Sequence, residues 1–130
     1  VILTVKRFEN MLQEDERGWI SKVVIGKQEV WLSFTRKGYA RGGDIHEGLQ
    51  FNTVIYGNIQ VKLMFPDGEK IVKLPTDSLM VTPKSVPHVF IALEDTLMVE
   101  WFDHELPPYE KKQFYEPYRK LCRGKNDATR

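Results

Sequence analysis

The sequence predicts an all-β fold, a sandwich or barrel of short strands with a short helical segment near its C-terminal end. Three observations predict it. From residue 18 to residue 102, runs of about five to seven β-branched and aromatic residues are punctuated by Gly, Pro, Asn and Asp, the spacing of an all-β domain. Ile59, Val61, Leu63 and Phe65 alternate with Gln60, Lys62 and Met64, so one face of that strand is buried and the other is largely wet. Helical periodicity is absent there and begins only beyond Pro107-Pro108, where Phe114, Tyr118 and Leu121 fall at i, i+4, i+7.

Taken in order, strands are expected at residues 19–25, 30–35, 51–56, 59–65, 69–74, 79–82, 88–93 and 97–102, all rich in residues that suit a pleated, half-buried surface. Gly57-Asn58 supplies a tight turn before the fourth. Pro66-Asp67-Gly68 reverses the chain after it, because Pro presets φ, Asp bonds its own backbone and Gly accepts positive φ. About eight strands imply two facing sheets. Residues 109–123 read as two short helical pieces, separated at Pro117, that cap the barrel. Residues 1–123 therefore form a single domain, and the polar stretch 124–130 is expected to fray as a flexible tail.

Composition bounds the function. The chain has 130 residues, room for one compact domain, and its 42% hydrophobic content excludes general disorder. With 19 Lys+Arg against 18 Asp+Glu, the net charge of +1 excludes a dedicated nucleic-acid binder, which needs a clustered basic surplus. Cys122 is the single cysteine, so no internal disulfide or CxxC zinc site forms, as fits the cytoplasm. No run approaches the roughly 20 apolar residues of a membrane span, and residues 1–8, broken by Lys6 and Arg7, do not make a signal peptide.

Chemistry concentrates around two of the three histidines, His46 and His88. Asp44 and His46 lie two apart, so on a strand both side chains leave the same face and can point into a barrel. His88 follows the turn at Pro83 and Pro87 and arrives from another strand. His104 reads as a surface residue.

The spacing of these residues resembles that of the cupin superfamily. Gly38, Asp44, His46, Gln50 and Gly57 follow the first cupin motif, G-x5-H-x-H-x3-E-x6-G, with Asp in place of the first His and Gln in place of Glu. Asp77, Pro83, Ser85 and His88 follow the second, G-x5-P-x-G-x2-H-x3-N, with Ala92 last. This resemblance implies a double-stranded β-helix, the jelly-roll barrel. Within the superfamily, Asp15-Glu16-Arg17-Gly18, Arg41-Gly42, His46, Gln50, Asp67-Gly68, Pro87-His88 and Tyr115-Glu116-Pro117-Tyr118 resemble the nucleotide-sugar cupins, the dTDP-4-keto-6-deoxyhexose 3,5-epimerases and 3,4-ketoisomerases.

The activity so implied is proton transfer beside a sugar ketone, through an enediol, with no cofactor expected. His46 is then the base and Asp44 favours its imidazolium. Arg17 and Arg41 contact the sugar diphosphate, since guanidinium forks match phosphate oxygens, and Gln50 and His88 complete the substrate pocket. Trp31 stands where the family has an aromatic acid, which leaves Tyr39 or Tyr56 as the nearest phenol. Trp31, Phe34 and Phe51 are candidates to stack on sugar or base. An alternative is a divalent metal held by Asp44, His46, Gln50 and His88, a set that keeps the formal charge of −1 of the usual ligands. A non-catalytic sugar-binding barrel is the third reading. The expected partners are a small nucleotide-sugar and a second copy of the chain, because a homodimer covers exposed edge strands.

Overall fold

The computed structural model describes residue 3 and residues 11–126. They form two antiparallel sheets packed face to face. The strands are β1 (Met11–Asp15), β2 (Gly18–Ile25), β3 (Gln28–Thr35), β4 (Ala40–Ile45), β5 (Gln50–Tyr56), β6 (Asn58–Phe65), β7 (Gly68–Pro75), β8 (Leu79–Thr82), β9 (His88–Ala92), β10 (Thr96–Phe102) and β11 (Gln113–Phe114). One sheet has the order β1-β2-β3-β10-β5-β8 and the other β11-β4-β9-β6-β7. All eight expected strands are present. Three more were not expected: β1, β4, whose pattern is masked by Gly42-Gly43, and the two-residue β11.

Alternation builds the core. Ile59, Val61 and Leu63 of β6 meet Val54, Leu74, Phe90, Ala92 and Met98 between the sheets, and all are buried. The hairpin at Pro66-Asp67 pairs Phe65 with Gly68, whose φ of 133° explains the glycine there. Asp77 and Ser85, which stand at glycine positions of the second motif pattern, both take left-handed backbone, at φ 65° and 63°. Ser85 N–H donates to the carbonyl of His46 at 2.7 Å, tying that turn to the end of β4.

The C-terminal segment covers the outer side of the five-stranded sheet. Tyr118 and Cys122 pack on Ala40, Val89 and Ile91. The segment is a 3-10 turn at Tyr109–Lys111, then β11, the helix α1 (Glu116–Arg119) and a 3-10 turn at Lys120–Arg123. Pro117 starts the helix instead of dividing two, because an N–H is dispensable in the first turn. Asn126, in the stretch expected to fray, donates from its backbone N–H to Gly38 O at 2.6 Å and from its side-chain amide to Leu121 O at 2.8 Å. Residues 127–130 lie outside the described residues. No described helix is long and apolar enough to cross a membrane.

Candidate functional site

A cavity of about 480 Å³ opens between the sheets and receives side chains from both. From the five-stranded sheet come Arg41, Asp44 and His46; from the six-stranded sheet come Trp31, Gln50 and Glu100. Its mouth continues into a hollow of about 290 Å³ lined by His104, Pro107 and Lys112, which also touches Asp44 and His46.

Gly42 and Gly43, at φ 105° and 79°, interrupt the pairing of β4 with β9. The resulting bulge lets the chain turn inward at Asp44. A side chain on Gly43 would strike the backbone of Arg119, so only glycine lets the C-terminal segment brace this point. Arg119 Nη1 donates to Gly42 O at 2.8 Å. Strand β4 ends at Ile45, but Asp44 Oδ2 still lies 3.9 Å from His46 Nε2. The expected juxtaposition of these two residues is present.

Their expected chemistry is not. Burial, with His88, His104 and Lys112 nearby, pushes the His46 pKa down to about 3. His46 is thus neutral at physiological pH, and the expected base of near-neutral pKa is corrected: Asp44 is too distant and too hydrated to offset the loss of solvent.

The group that titrates near neutrality is Glu100, which the motif reading missed. Burial pushes its carboxyl up to about 7, against the opposing hydrogen bond from Asn52. Its Oε1 accepts from Gln50 Nε2 at 2.5 Å and from Asn52 Nδ2 at 3.1 Å, while Gln50 Nε2 also donates to Asn52 Oδ1 at 2.9 Å. No hydrogen bond among the described residues occupies its other oxygen. A signal for Glu100 existed in the sequence: it is the one charged residue between Thr96 and Phe102, at the same parity as Met98 and Phe102, which face inward.

Arg41 lies where expected, in the cavity wall. Its Nε donates to Thr35 Oγ1 at 2.8 Å and its Nη2 to Phe34 O at 3.2 Å, whereas buried Nη1 has no partner. Burial and neighbouring Arg17 lower its pKa to about 10, so it remains a cation at neutral pH. Gln50 is also in place, as a clamp on Glu100 with its own Oε1 unpartnered.

Arg17 is a correction. It does not line the cavity. Its guanidinium forks onto Asp15, with Nη2 to Oδ2 at 2.8 Å and Nε to Oδ2 at 3.1 Å, because the two residues flank the turn from β1 to β2. His88 is another correction as a substrate contact. It is only 1% exposed, sits behind His46 with ring centroids 5.4 Å apart, and does not line the cavity. His104 is not a free surface residue: its ring lies against Gly48, bonds Asp103 at 2.9 Å and helps form the mouth. Of the three candidate stacking aromatics Trp31 faces the cavity, whereas Phe34 and Phe51 point outward, where they stack on Trp19 and Trp101. The phenol at the cavity is Tyr109, not Tyr39 or Tyr56.

A metal centre is a poor fit. His88 Nδ1 lies 2.9 Å from Val86 O and, as the donor there, leaves the buried Nε2 lone pair without a partner, as a metal-ligating imidazole requires. The remaining donors do not gather around it. Among the described residues no three His, Cys, Asp or Glu side chains are placed to hold an ion, and Gln50 is engaged by Glu100 and Asn52.

No family model matches the chain, and no curated protein matches it. Solved structures do. A serine-to-alanine mutant of Bacillus subtilis oxalate decarboxylase OxdC superposes with TM-score 0.67 at 18% identity, covering 78% of this chain and 29% of that one. A tryptophan-to-tyrosine variant of the B. subtilis enzyme gives 0.66 at 19%, with the same coverage. A B. subtilis oxalate decarboxylase structure concerned with Mn(II) centres gives 0.67 at 19%, covering 87% of this chain and 33% of that one. The chain spans about a third of the length of these neighbours. With two facing antiparallel sheets and an interior cavity, the likeness establishes the fold: an all-β jelly roll of the cupin type.

Proposed function

We propose that the protein is a cupin-fold isomerase or epimerase that transfers a proton beside the ketone of a nucleotide-linked 4-keto-6-deoxy sugar. The observation that carries this reading is the Glu100 carboxyl, clamped through one oxygen by Gln50 and Asn52 in a cavity that also holds Arg41. A fixed carboxylate in a half-dry site is suited to take a proton from carbon.

In the forward step Glu100 accepts the proton from the carbon adjoining the ketone. The C–H pair becomes the C=C of an enediolate and the carbonyl π pair moves onto oxygen. Arg41 and Lys112 line the same cavity, and their charges favour that oxyanion. For a carbonyl shift, the protonated carboxyl gives its proton to the former carbonyl carbon while the neighbouring hydroxyl passes its proton through water to the oxyanion and becomes the new ketone; for an epimerisation, water protonates the opposite face of the original carbon and the carboxyl releases its proton to solvent. His46, neutral and beside Asp44, orients hydroxyls without competing for the proton. The cavity accommodates a hexose, while the mouth at His104 and Lys112 leads the diphosphate outward.

The test is incubation with dTDP- and GDP-4-keto-6-deoxy sugars in deuterated water. Deuterium should enter the carbon next to the ketone with wild type and fail to enter with Glu100→Gln. Absence of exchange from every such sugar would overturn the proposal. A non-catalytic barrel would show binding that Glu100→Gln weakens, with no exchange at all. One atom favours a metal-binding reading, the unpartnered Nε2 of His88. A stoichiometric ion in protein grown with manganese, iron and zinc, lost on His88→Gln, would establish it.

A further inference from the structure

Two hollows leave the cavity past Lys112, and they differ in charge. In the one already described beside His104, Asp44, Glu47 and Glu105 outnumber Lys111 and Lys112. The other is a groove of about 560 Å³ between the hairpin β2–β3 and residues 104–107, which carries Lys22, Lys27 and Lys112 against Glu29 and Glu105. We propose that this basic groove seats the nucleoside diphosphate arm of the substrate, an assignment that rests on the nucleotide-sugar reading of the cavity.

Register builds the groove. Strand β3 pairs with β10 from Thr35 to Trp31, and beyond that pair the hairpin runs on to a tip at Gly26-Lys27. Lys22 lies opposite Trp31 across the hairpin, and Glu29 is two residues from Trp31 on the same strand. Since Trp31 faces the cavity, Lys22 and Glu29 continue that inner wall past the end of β10. Gln28 Nε2 donates to Phe102 O at 3.3 Å and ties the hairpin there. Trp31, Phe102, Leu106 and Lys112 line both the cavity and the groove, so the two form one continuous space. A ligand longer than the cavity reaches the groove along Trp31.

Charge decides between the two exits. Lys22 is held by Glu29 at 2.8 Å and lies over the Trp31 ring at 5.4 Å, which keeps it at the groove wall. Lys27 and Lys112 have no ion pair among the described residues, so their ammonium groups are left for a ligand anion. A diphosphate sent through the other hollow meets Asp44 and Glu47, and like charges brought together cost affinity. Arg17, the guanidinium expected on phosphate, is forked onto Asp15, and the lysines take over that contact. Leu106 and Pro107 give the groove an apolar bank for the nucleoside.

Fluorescence titration of the whole chain with dTDP and GDP tests this without any turnover. Trp31 borders both spaces and reports the binding, and Trp31→Phe identifies its share of the signal. Lys27→Glu, at the exposed hairpin tip, and Lys112→Glu should each raise Kd about tenfold. Lys111→Glu, in the other hollow, should leave Kd within about twofold. Added salt should weaken wild-type binding, and weaken that of Lys27→Glu less. Inorganic pyrophosphate, which lacks the nucleoside, should bind about tenfold more weakly than dTDP. The assignment is overturned by a wild type that binds neither nucleotide, by a folded Lys27→Glu that binds as wild type does, by a Lys111→Glu that loses more than Lys27→Glu, or by pyrophosphate binding as tightly as dTDP. The expected binding pattern without deuterium exchange from any 4-keto-6-deoxy sugar supports the groove and removes only the isomerase reading. Should a charge variant lose its far-ultraviolet dichroism, Lys27→Gln and the salt dependence of wild type decide.

Discussion

The cavity has two unlike walls. On the five-stranded side, Asp44, His46 and His88 cluster at the end of β4 and the start of β9, and burial drives the imidazoles toward neutrality. On the six-stranded side, the same loss of solvent drives Glu100 toward its protonated form, while two amides hold it in place. Burial disfavours charge of either sign, so it makes a histidine a weaker base and a carboxylate a stronger one. The wall that carries the histidines is therefore not the wall with the proton at neutral pH.

Removing the carboxylate tests that contrast most severely. Glu100→Gln should lower turnover about 10²- to 10⁴-fold, the usual worth of a positioned general base, with substrate affinity little changed. Steady-state rates and calorimetric binding would show it; unimpaired turnover would return the chemistry to the histidine wall. Arg41→Met should come next. It strips the donor from Thr35 Oγ1 and Phe34 O, costs about 1–3 kcal/mol in urea unfolding, and raises KM for an anionic substrate.

The pH dependence of stability sharpens the comparison further. Between pH 4.5 and 6.5 the unfolded chain carries a proton on His46 and none on Glu100, whereas the folded chain carries one on Glu100 and none on His46. The two contributions cancel. Glu100→Gln leaves His46 unopposed, the unfolded state then binds the extra proton, and stability should rise with pH about 1.4 kcal/mol per unit more steeply than in wild type. Urea titrations at pH 5 and 6 measure the difference. The smallest effect should be that of His46→Gln on catalysis, about tenfold in kcat/KM and mostly in KM, since an orienting contact is worth about 1.4 kcal/mol.

The family resemblance placed Asp44, His46, Gln50 and Arg41 in one site, because motif intervals record strand and turn lengths. It placed the second-motif turn despite the missing glycines, since Asp77 and Ser85 tolerate the required backbone. Glu100 escaped because it belongs to no motif and its partners, Gln50 and Asn52, are about fifty positions away. Arg17 was misassigned because a carboxylate two residues from a guanidinium is also a local fork, and only geometry separates that from a ligand contact. Phe34, Phe51 and Trp31 were treated alike because strand parity needs a reference, which the inward pairing of Trp31 with Glu100 supplies.

Arg119 and Cys122 reach the carbonyl of Gly42 from 77 and 80 positions further along the chain, and β11 pairs with Asp44 and Ile45. A contact of such long sequence separation closes a large loop, so it forms after local hairpins such as β6 with β7. The wall bearing Asp44 and His46 is thereby fixed late in folding, and local opening of the segment 113–122 would release it while leaving the core between the sheets intact.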